Sequence, residues 1–285
     1  MTRLWILGPG HSLSRHEEHV KALAQKEHSV MAFQRVFPNC VKHFDLIPDY
    51  WFSADPFPWL EGFEFLTSLP PVQQEKFKKM KILIPSYAAG SYADFRLYSG
   101  TTPLARTDRG WERYQVLTQH LMGKGFDIQI LPCTTSKYLA TTGPNLPGDI
   151  FDSGAYLRFM GDEIYFGTVP FDSETVMGDQ FKWGLENKLS SNVFPVAFHL
   201  GYKELCIAGF DFKGPRFYND VARHPWSDET QKGKNLHQYP LGLVKKWADW
   251  EPLHGMSISS VVGKEYTMLS DVLPTRKIAD LLETK

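Results

Sequence analysis

Short apolar runs alternate with polar, helix-compatible segments along this chain. Seven runs have the length and composition of β-strands, namely residues 4–7, 28–33, 49–54, 81–85, 126–131, 205–209 and 257–262. Helix-compatible segments follow at residues 14–26, 111–124, 193–200, 241–250 and 278–282. Prolines at positions 56, 58, 70 and 71 predict irregular structure between the third and fourth strands. The alternation of strands with helices predicts an α/β protein.

The middle third of the chain breaks this alternation. Residues 132–180 are rich in Gly, Asp, Pro and Thr, and we predict no strand there. A loop of this length inside a compact domain generally has a function. We therefore predict a single domain over residues 1–285, in which the segment from about residue 132 to 188 forms a lid or an insertion.

The composition argues against several classes of protein. A hydrophobic content of 42% is enough for a sizeable core, and a net charge of −1 argues against a broad nucleic-acid-binding surface, although a local basic groove stays open. No apolar run approaches the ~20 residues of a membrane span, and the N-terminus lacks the pattern of a signal peptide. Cys40, Cys133 and Cys206 have no CxxC spacing, so we expect reduced thiols and a cytoplasmic location. Association into a homo-oligomer is left open.

The first predicted strand runs directly into the turn Gly8-Pro9-Gly10-His11-Ser12-Leu13, and a polar helix follows. Glycine lets a backbone approach an anion closely, and a helix N-terminus offers unpaired N–H groups. We therefore predict that Gly8, Gly10 and Ser12 bind a phosphate group. A tight turn with a purely structural role is the alternative, because Gly-x-Gly alone is not a full dinucleotide fingerprint.

A second segment, 190 residues later, strengthens the functional interpretation. The sequence Ser190-Ser191-Asn192 can cap the helix predicted at 193–200, and Gly201 is suited to end it. The buried strand at 205–209 then ends at Gly209, and Asp211 follows at its carboxyl end. Because ligands of open α/β sheets bind beyond the carboxyl ends of the strands, Gly209 and Asp211 are candidate ligand-binding residues.

Residues 190–214, which read SSNVFPVAFHLGYKELCIAGFDFKG, resemble a block of the bacterial α-2,3-sialyltransferases. That block reads T-S-G…A-x-x-L-G-Y-K-E-I-x-L-x-G-I-D-F-Y, and these enzymes also begin with a strand followed by G-N-G-P-S-L. Residues 8–13 occupy the position of the second motif, and residues 50–56 fall where the family has a strand ending in Asn-Pro. The resemblance covers about a third of the chain, and the same skeleton occurs in archaeal-type 6-hydroxymethylpterin diphosphokinases.

The resemblance implies a Rossmann-like domain with a mostly parallel sheet, helices on its faces and a small lid. It implies transfer of a sugar from a nucleotide-sugar, with a CMP-sugar as the first candidate donor, to a glycan or other hydroxyl acceptor, and no metal or cofactor. Ser191 and Asn192 lie within the resembling block and are counted among the donor-binding residues. The family's nucleotide-contacting Asn corresponds to Gln34, and the Asn of its third strand corresponds to Asp55.

The resemblance also assigns the catalytic groups. The family's phosphate-contacting tyrosines correspond to Lys213 and Tyr218, and both residue types can stabilise a leaving phosphate. The family's histidine base precedes the helix before the last strands, which is the position of His237 here. His224 and His254 are alternatives, since histidine titrates in the range that a general base needs.

Two further functions stay open from the sequence. A pterin-type diphosphokinase would bind ATP and Mg²⁺ and would use carboxylates such as Asp55 and Asp211 as ligands. A non-catalytic nucleotide- or glycan-binding module is the other alternative. The acidic group of Asp45, Asp49 and Asp55 could form a metal-binding cluster, but we expect structural or ribose-binding roles for Asp55 and Asp211 and no obligatory metal.

Overall fold

The computed structural model describes residues 3–24, 28–53, 56–85, 108–131, 155–160, 163–168, 193–211, 217–218, 241, 244–245, 248 and 257–283. The described strands are β1 (Arg3–Leu7), β2 (Ser29–Phe33), β3 (Tyr50–Phe52), β4 (Lys81–Pro85), β5 (Asp127–Leu131), β6 (Ala155–Met160), β7 (Glu163–Thr168), β8 (Glu204–Ala208) and β9 (Ser257–Ser260). Seven of them form a parallel sheet in the order β5-β4-β3-β2-β1-β8-β9. Strands β6 and β7 form an antiparallel pair. The predicted α/β fold, Rossmann-like with a parallel sheet and flanking helices, is confirmed.

The described helices are α1 (Ser12–Arg15), α2 (Glu17–Leu23), α3 (Val36–Phe44), α4 (Pro56–Ser68), α5 (Pro71–Gln74), α6 (Asp108–Gly123), α7 (Phe194–His199) and α8 (Ile278–Glu283). Short 3₁₀ helices lie at Glu75–Phe77 and Leu269–Asp271. Residues 241, 244–245 and 248 are helical, within the helix predicted at 241–250. Within the described residues, no helix is both long and apolar enough to cross a membrane.

The chain divides into two compact units, residues 1–50 with 197–285 and residues 51–196. In the first unit β1 pairs with β2 on one side and with β8 on the other, and Leu7 lies opposite Ala32 and Ala208. Residues 4–7 of β1 and all of β8 are buried. A strand that is apolar on both faces is typical of the centre of a parallel sheet, and each fully buried Leu or Ile stabilises the fold by about 1.5–3 kcal/mol.

The second unit contains β4, β5, the β6–β7 pair and helices α4 to α6. Trp51 and Phe63 pack edge to face, with ring centroids 5.6 Å apart. A Cβ atom at Gly62 would overlap the Trp51 ring, so the absence of a side chain there is what allows α4 to lie against this tryptophan. The predicted lid or insertion at 132–188 falls in this unit, and of it only residues 155–160 and 163–168 are described.

Three expectations about local structure were wrong. The prolines at 56 and 58 do not break regular structure but open the 13-residue helix α4, because the first turn of a helix needs no N–H donor. Pro71 likewise begins α5. Helix α3, which follows β2 after Gln34 and Arg35, and the β6–β7 pair were not predicted.

The helix predicted at 14–26 is divided at His16. His16 takes φ −119° and ψ 30°, which ends α1 and starts α2 at Glu17. The other helix ends agree better with prediction. Gly201 closes the turn after α7 with φ +82°, and the Tyr202 N–H donates to Ala197 O over 3.2 Å. This left-handed residue confirms the predicted role of glycine after the helix.

A charged cluster ties the amino ends of β1 and β8 to the C-terminal helix. The Glu204 carboxylate accepts hydrogen bonds from Arg3 Nε over 2.8 Å and from Arg276 Nη1. Arg3 Nη1 also donates to Leu281 O in α8, over 2.6 Å. Burial works to raise the pKa of Glu204, but the hydrogen bonds and charges of Arg3 and Arg276 outweigh it and lower the pKa.

This lowered pKa predicts a loss of stability in acid. Because the carboxylate is favoured in the folded state, its contribution is present above the ordinary Glu pKa of about 4.3 and is lost as the pH falls through the folded value. We expect Glu204→Gln to lower the free energy of unfolding by about 1.5–3 kcal/mol at neutral pH. Urea unfolding of the wild type and of Glu204→Gln between about pH 7 and pH 3 checks this. A difference in the free energy of unfolding between the wild type and Glu204→Gln that does not become smaller in acid would contradict this prediction.

Candidate functional site

The topology of the first unit creates a switch point between β1 and β8. From β1 the chain passes through α1 and α2 to β2 on one side, whereas β8 lies on the other side and is followed outward by β9. At such a point the connections leave the sheet in opposite directions, which opens a crevice beyond the carboxyl ends of the strands. Gly8 and Gly209 are the first residues beyond these two ends.

The two strand ends approach each other more closely than side chains would allow. Gly8 N–H donates to Ala208 O over 2.8 Å, and Gly10 N–H donates to Gly209 O over 2.5 Å. Gly209 has φ +74°, and a Cβ atom there would overlap the carbonyl oxygen of Gly8. A Cβ atom at Gly8 would lie 2.5 Å from the Phe210 ring. Glycine is therefore required on both sides of the switch point.

Asp211 connects the second segment to the first helix. One carboxylate oxygen, Oδ2, accepts a hydrogen bond from Ser12 N over 2.8 Å, and the other, Oδ1, accepts from Ser12 Oγ over 2.5 Å. Both residues are buried, with Asp211 4% and Ser12 1% exposed. A Cβ atom at Gly10 would overlap the Asp211 carboxylate, so this glycine makes room for the contact.

These contacts change the expected chemistry of the glycine turn. The N–H groups of Gly8, Gly10 and Ser12 donate to two carbonyls and a carboxylate of the protein itself. The carboxylate of Asp211 also places a negative charge at the start of α1. Binding of a phosphate by these N–H groups stays a prediction, and it would require the phosphate to replace protein hydrogen bonds.

The same turn holds the segment that carries Tyr218. Phe217 N–H donates to Pro9 O over 3.0 Å, and the Phe217 ring packs on Phe44 with centroids 5.1 Å apart. Tyr218 lies edge-on to Phe217 at 4.9 Å and is half-buried. Tyr218, a predicted phosphate-contacting residue, is thus held next to the glycine turn.

Residues after β9 brace the loop that follows β8. Thr267 Oγ1 donates to Phe210 O over 2.8 Å, and Met268 N–H donates to Asp211 O over 3.2 Å. Sequence reasoning missed both residues. They follow a predicted strand of the same sheet, so proximity of strand ends is the signal that would have indicated them.

Gln34 occupies the carboxyl end of β2, next to the switch point. It has φ +53°, in the left-handed region that a long side chain seldom adopts. Strained backbone of this kind costs of order 1–3 kcal/mol and is concentrated at functional sites. The conformation fits the predicted nucleotide-contacting role of Gln34, which stays a prediction.

His16 and Tyr266 lie beside the first helix. The His16 ring packs edge-on against Tyr266, with centroids 5.6 Å apart, and lies 6.0 Å from the His19 ring. Burial lowers the pKa of His16, the charge of His19 lowers it further, and Glu265 acts in the opposite direction. His16 Nε2 is buried and has no hydrogen-bond partner within the described residues, so this atom is enclosed.

Several predicted site residues lie outside the described residues. They are Asp55, Ser191, Asn192, Lys213, His224, His237 and the alternative base His254. Of the acidic group, Asp49 accepts a hydrogen bond from Val30 N over 2.8 Å. Asp45 closes α3 in the left-handed conformation, with φ +51°. The described part of the chain contains no group of three side chains that could hold a metal ion.

The described cysteines have the expected environment. Cys40 and Cys206 are free and buried, and burial raises the pKa of Cys206 to about 11. Both thiols are therefore unreactive at neutral pH.

Comparison with known proteins gave no match to this chain among protein-family profiles, curated proteins or solved structures. The resemblance to sialyltransferases therefore rests on the residues quoted for it, and membership of that family stays a prediction.

Proposed function

We propose that this protein is a glycosyltransferase that takes a sugar from a nucleotide-sugar, with a CMP-sugar as the first candidate donor. One observation carries the proposal. The two segments that resemble sialyltransferases, residues 8–13 and 204–211, meet at the switch point of the sheet and are joined there by the Ser12–Asp211 hydrogen bonds. A pair of motifs about 200 positions apart that converge where α/β proteins bind nucleotides supports a nucleotide-handling enzyme.

In this proposal each site residue has a separate role, and two of these residues, Asp55 and Lys213, lie outside the described residues. Gln34, at the end of β2, contacts the nucleotide, and the resemblance assigns a ribose contact to Asp55. Lys213 and Tyr218 stabilise the negative charge that develops on the leaving phosphate. Asp211 acts as a positioning residue, because its carboxylate is hydrogen-bonded to Ser12 and it lies two positions before Lys213 in the sequence.

The diphosphokinase alternative would give Asp211 a different role. It would use this carboxylate as a Mg²⁺ ligand, yet both oxygens already accept hydrogen bonds from Ser12. We therefore favour the glycosyltransferase, and ATP with Mg²⁺ remains a necessary arm of the test.

We expect CMP to stabilise the protein. A ligand present at 100 times its Kd raises the free energy of unfolding by about 2.7 kcal/mol, which is a measurable increase in Tm. Thermal unfolding with CMP, UDP, GDP, ADP and ATP, each with and without Mg²⁺, checks this. Stabilisation by ATP only in the presence of Mg²⁺ would favour the diphosphokinase, and no shift with any nucleotide would contradict both.

A further inference from the structure

We propose that His11 is the general base that accepts the proton of the acceptor hydroxyl, acting through Nε2. This inference rests on the proposed function, and it places the base in the glycine turn itself instead of at His237, His224 or His254.

His11 lies at the carboxyl edge of β1, between Gly10 and Ser12. Its neighbours on both sides are fixed, because Gly10 N–H donates to Gly209 O and Ser12 donates twice to Asp211. The His11 side chain is half-buried. The backbone that carries this ring is therefore held at the switch point, where the proposed donor binds.

Ser14 determines which ring nitrogen carries the proton. Ser14 Oγ lies 2.8 Å from His11 O and 3.1 Å from His11 Nδ1. A carbonyl oxygen can only accept, so the single hydroxyl proton of Ser14 is directed to His11 O. The hydroxyl oxygen is then the acceptor for the ring, and Nδ1 must carry a proton to donate to it. In the neutral ring this leaves Nε2 unprotonated, with a lone pair that can accept.

The environment of Nε2 differs between His11 and His16. His16 Nε2 is enclosed without a partner within the described residues, whereas the His11 side chain is half-buried and so partly open to solvent. A general base needs one ring nitrogen with a free lone pair and a second residue that fixes the orientation of the ring. In His11, Nε2 has the lone pair, and Ser14 holds Nδ1. Ser14 is the positioning residue in this pair.

In the proposed step, proton transfer accompanies formation of the new glycosidic bond. The acceptor O–H bond breaks, and its proton moves to Nε2 of His11, which becomes an imidazolium. The acceptor oxygen forms a bond to the anomeric carbon of the sugar. The bond between that carbon and the phosphate oxygen breaks, and its electron pair leaves with the nucleotide phosphate, whose charge Lys213 and Tyr218 stabilise. The imidazolium then releases its proton to solvent.

The test uses variants that separate proton transfer from structure. Asparagine at position 11 retains an N–H donor near the position of Nδ1 and removes Nε2, so we expect His11→Asn to fold normally and to bind CMP as the wild type does. Turnover of CMP-sugar should fall by about 10²–10⁴-fold, which is the usual contribution of a general base. Ser14→Ala should lower turnover by a smaller factor. His120→Asn, at an exposed position of α6, is the matched control and should leave turnover unchanged.

The outcomes distinguish this inference from the proposed function. If the wild type transfers sugar, and if His11→Asn keeps its turnover while His237→Asn loses it, the base is not His11. If the wild type transfers no sugar, the proposed function fails. The protonation state of the two His11 ring nitrogens can still be measured directly by NMR. Long-range ¹H–¹⁵N correlation spectra of the neutral ring should show a protonated Nδ1 and an unprotonated Nε2, and CMP should shift the His11 signals. A protonated Nε2, or no shift with bound CMP, would overturn the proposal.

Discussion

Replacement of Gly209 by alanine is expected to lower the free energy of unfolding by about 2–5 kcal/mol, a large part of the total stability of an ordinary domain. Two effects add. A residue with a Cβ atom in the left-handed conformation costs roughly 1–2 kcal/mol, and Gly209 has φ +74°. The new Cβ atom would also overlap Gly8 O and lie 2.9 Å from Leu13 Cγ, and relief of such overpacking typically costs another 1–3 kcal/mol.

Gly201 provides the matched control for this prediction. It has a similar backbone conformation, with φ +82°, but a Cβ atom there meets nothing within 4 Å. Gly201→Ala should therefore lose only the conformational part, about 1–2 kcal/mol. Urea unfolding followed by circular dichroism compares the two variants. Equal losses would mean that the close approach of β1 and β8 does not require glycine at position 209.

The parallel sheet could be predicted because its strands are buried on both faces. Runs such as residues 4–7 and 205–209 are apolar at every position, and Gly, Pro or polar residues bound them, so the strand signal does not depend on the rest of the fold. All seven strands of the sheet were predicted, although the runs at 126–131 and 257–262 contain polar positions. The helix α7 and its end at Gly201 were also predicted, since the glycine signal at a helix end is local.

Other elements could not be predicted for physical reasons. The prolines of α4 occupy its first turn, where they favour a helix, but their number suggested a loop. Helix α3 buries Val36, Phe37 and Phe44 although its sequence contains a proline and an asparagine, so packing outweighs a weak intrinsic preference. For α3, tertiary contacts, which the sequence does not display, decide the structure.

The candidate site could be predicted in its location but not in its contacts. Gly8, Gly10 and Asp211 were each singled out from the ends of predicted strands. That Asp211 would bond to Ser12 depends on which strands are neighbours, because these residues are 199 positions apart. The orientation of His11 by Ser14 is a local contact between residues three apart, yet it needs the exact backbone of the turn and was not foreseen.

Replacement of Asp211 by asparagine tests what occupies the start of α1. The amide keeps the shape of the carboxylate but offers one oxygen to two donors, Ser12 N–H and Ser12 Oγ–H. The two hydrogen bonds lost or weakened here are charge-assisted and buried, so we expect the free energy of unfolding to fall by about 3 kcal/mol. Ser12→Ala, which removes only the hydroxyl, should lose about half as much.

Asp211→Asn can either weaken or tighten the binding of CMP, and the direction of the change distinguishes two mechanisms. If Asp211 positions the phosphate-contacting residues that follow it in the sequence, its removal weakens the binding of CMP, and we expect a Kd at least about tenfold higher, equivalent to 1.4 kcal/mol. If a donor phosphate instead binds the N–H groups of Gly8, Gly10 and Ser12, the carboxylate repels it, and removal of that charge should tighten binding. Titration calorimetry with CMP on the folded variant measures this sign, with Ser12→Ala as the control that retains the charge. Tighter binding by Asp211→Asn alone would place the phosphate in the glycine turn and contradict the positioning role.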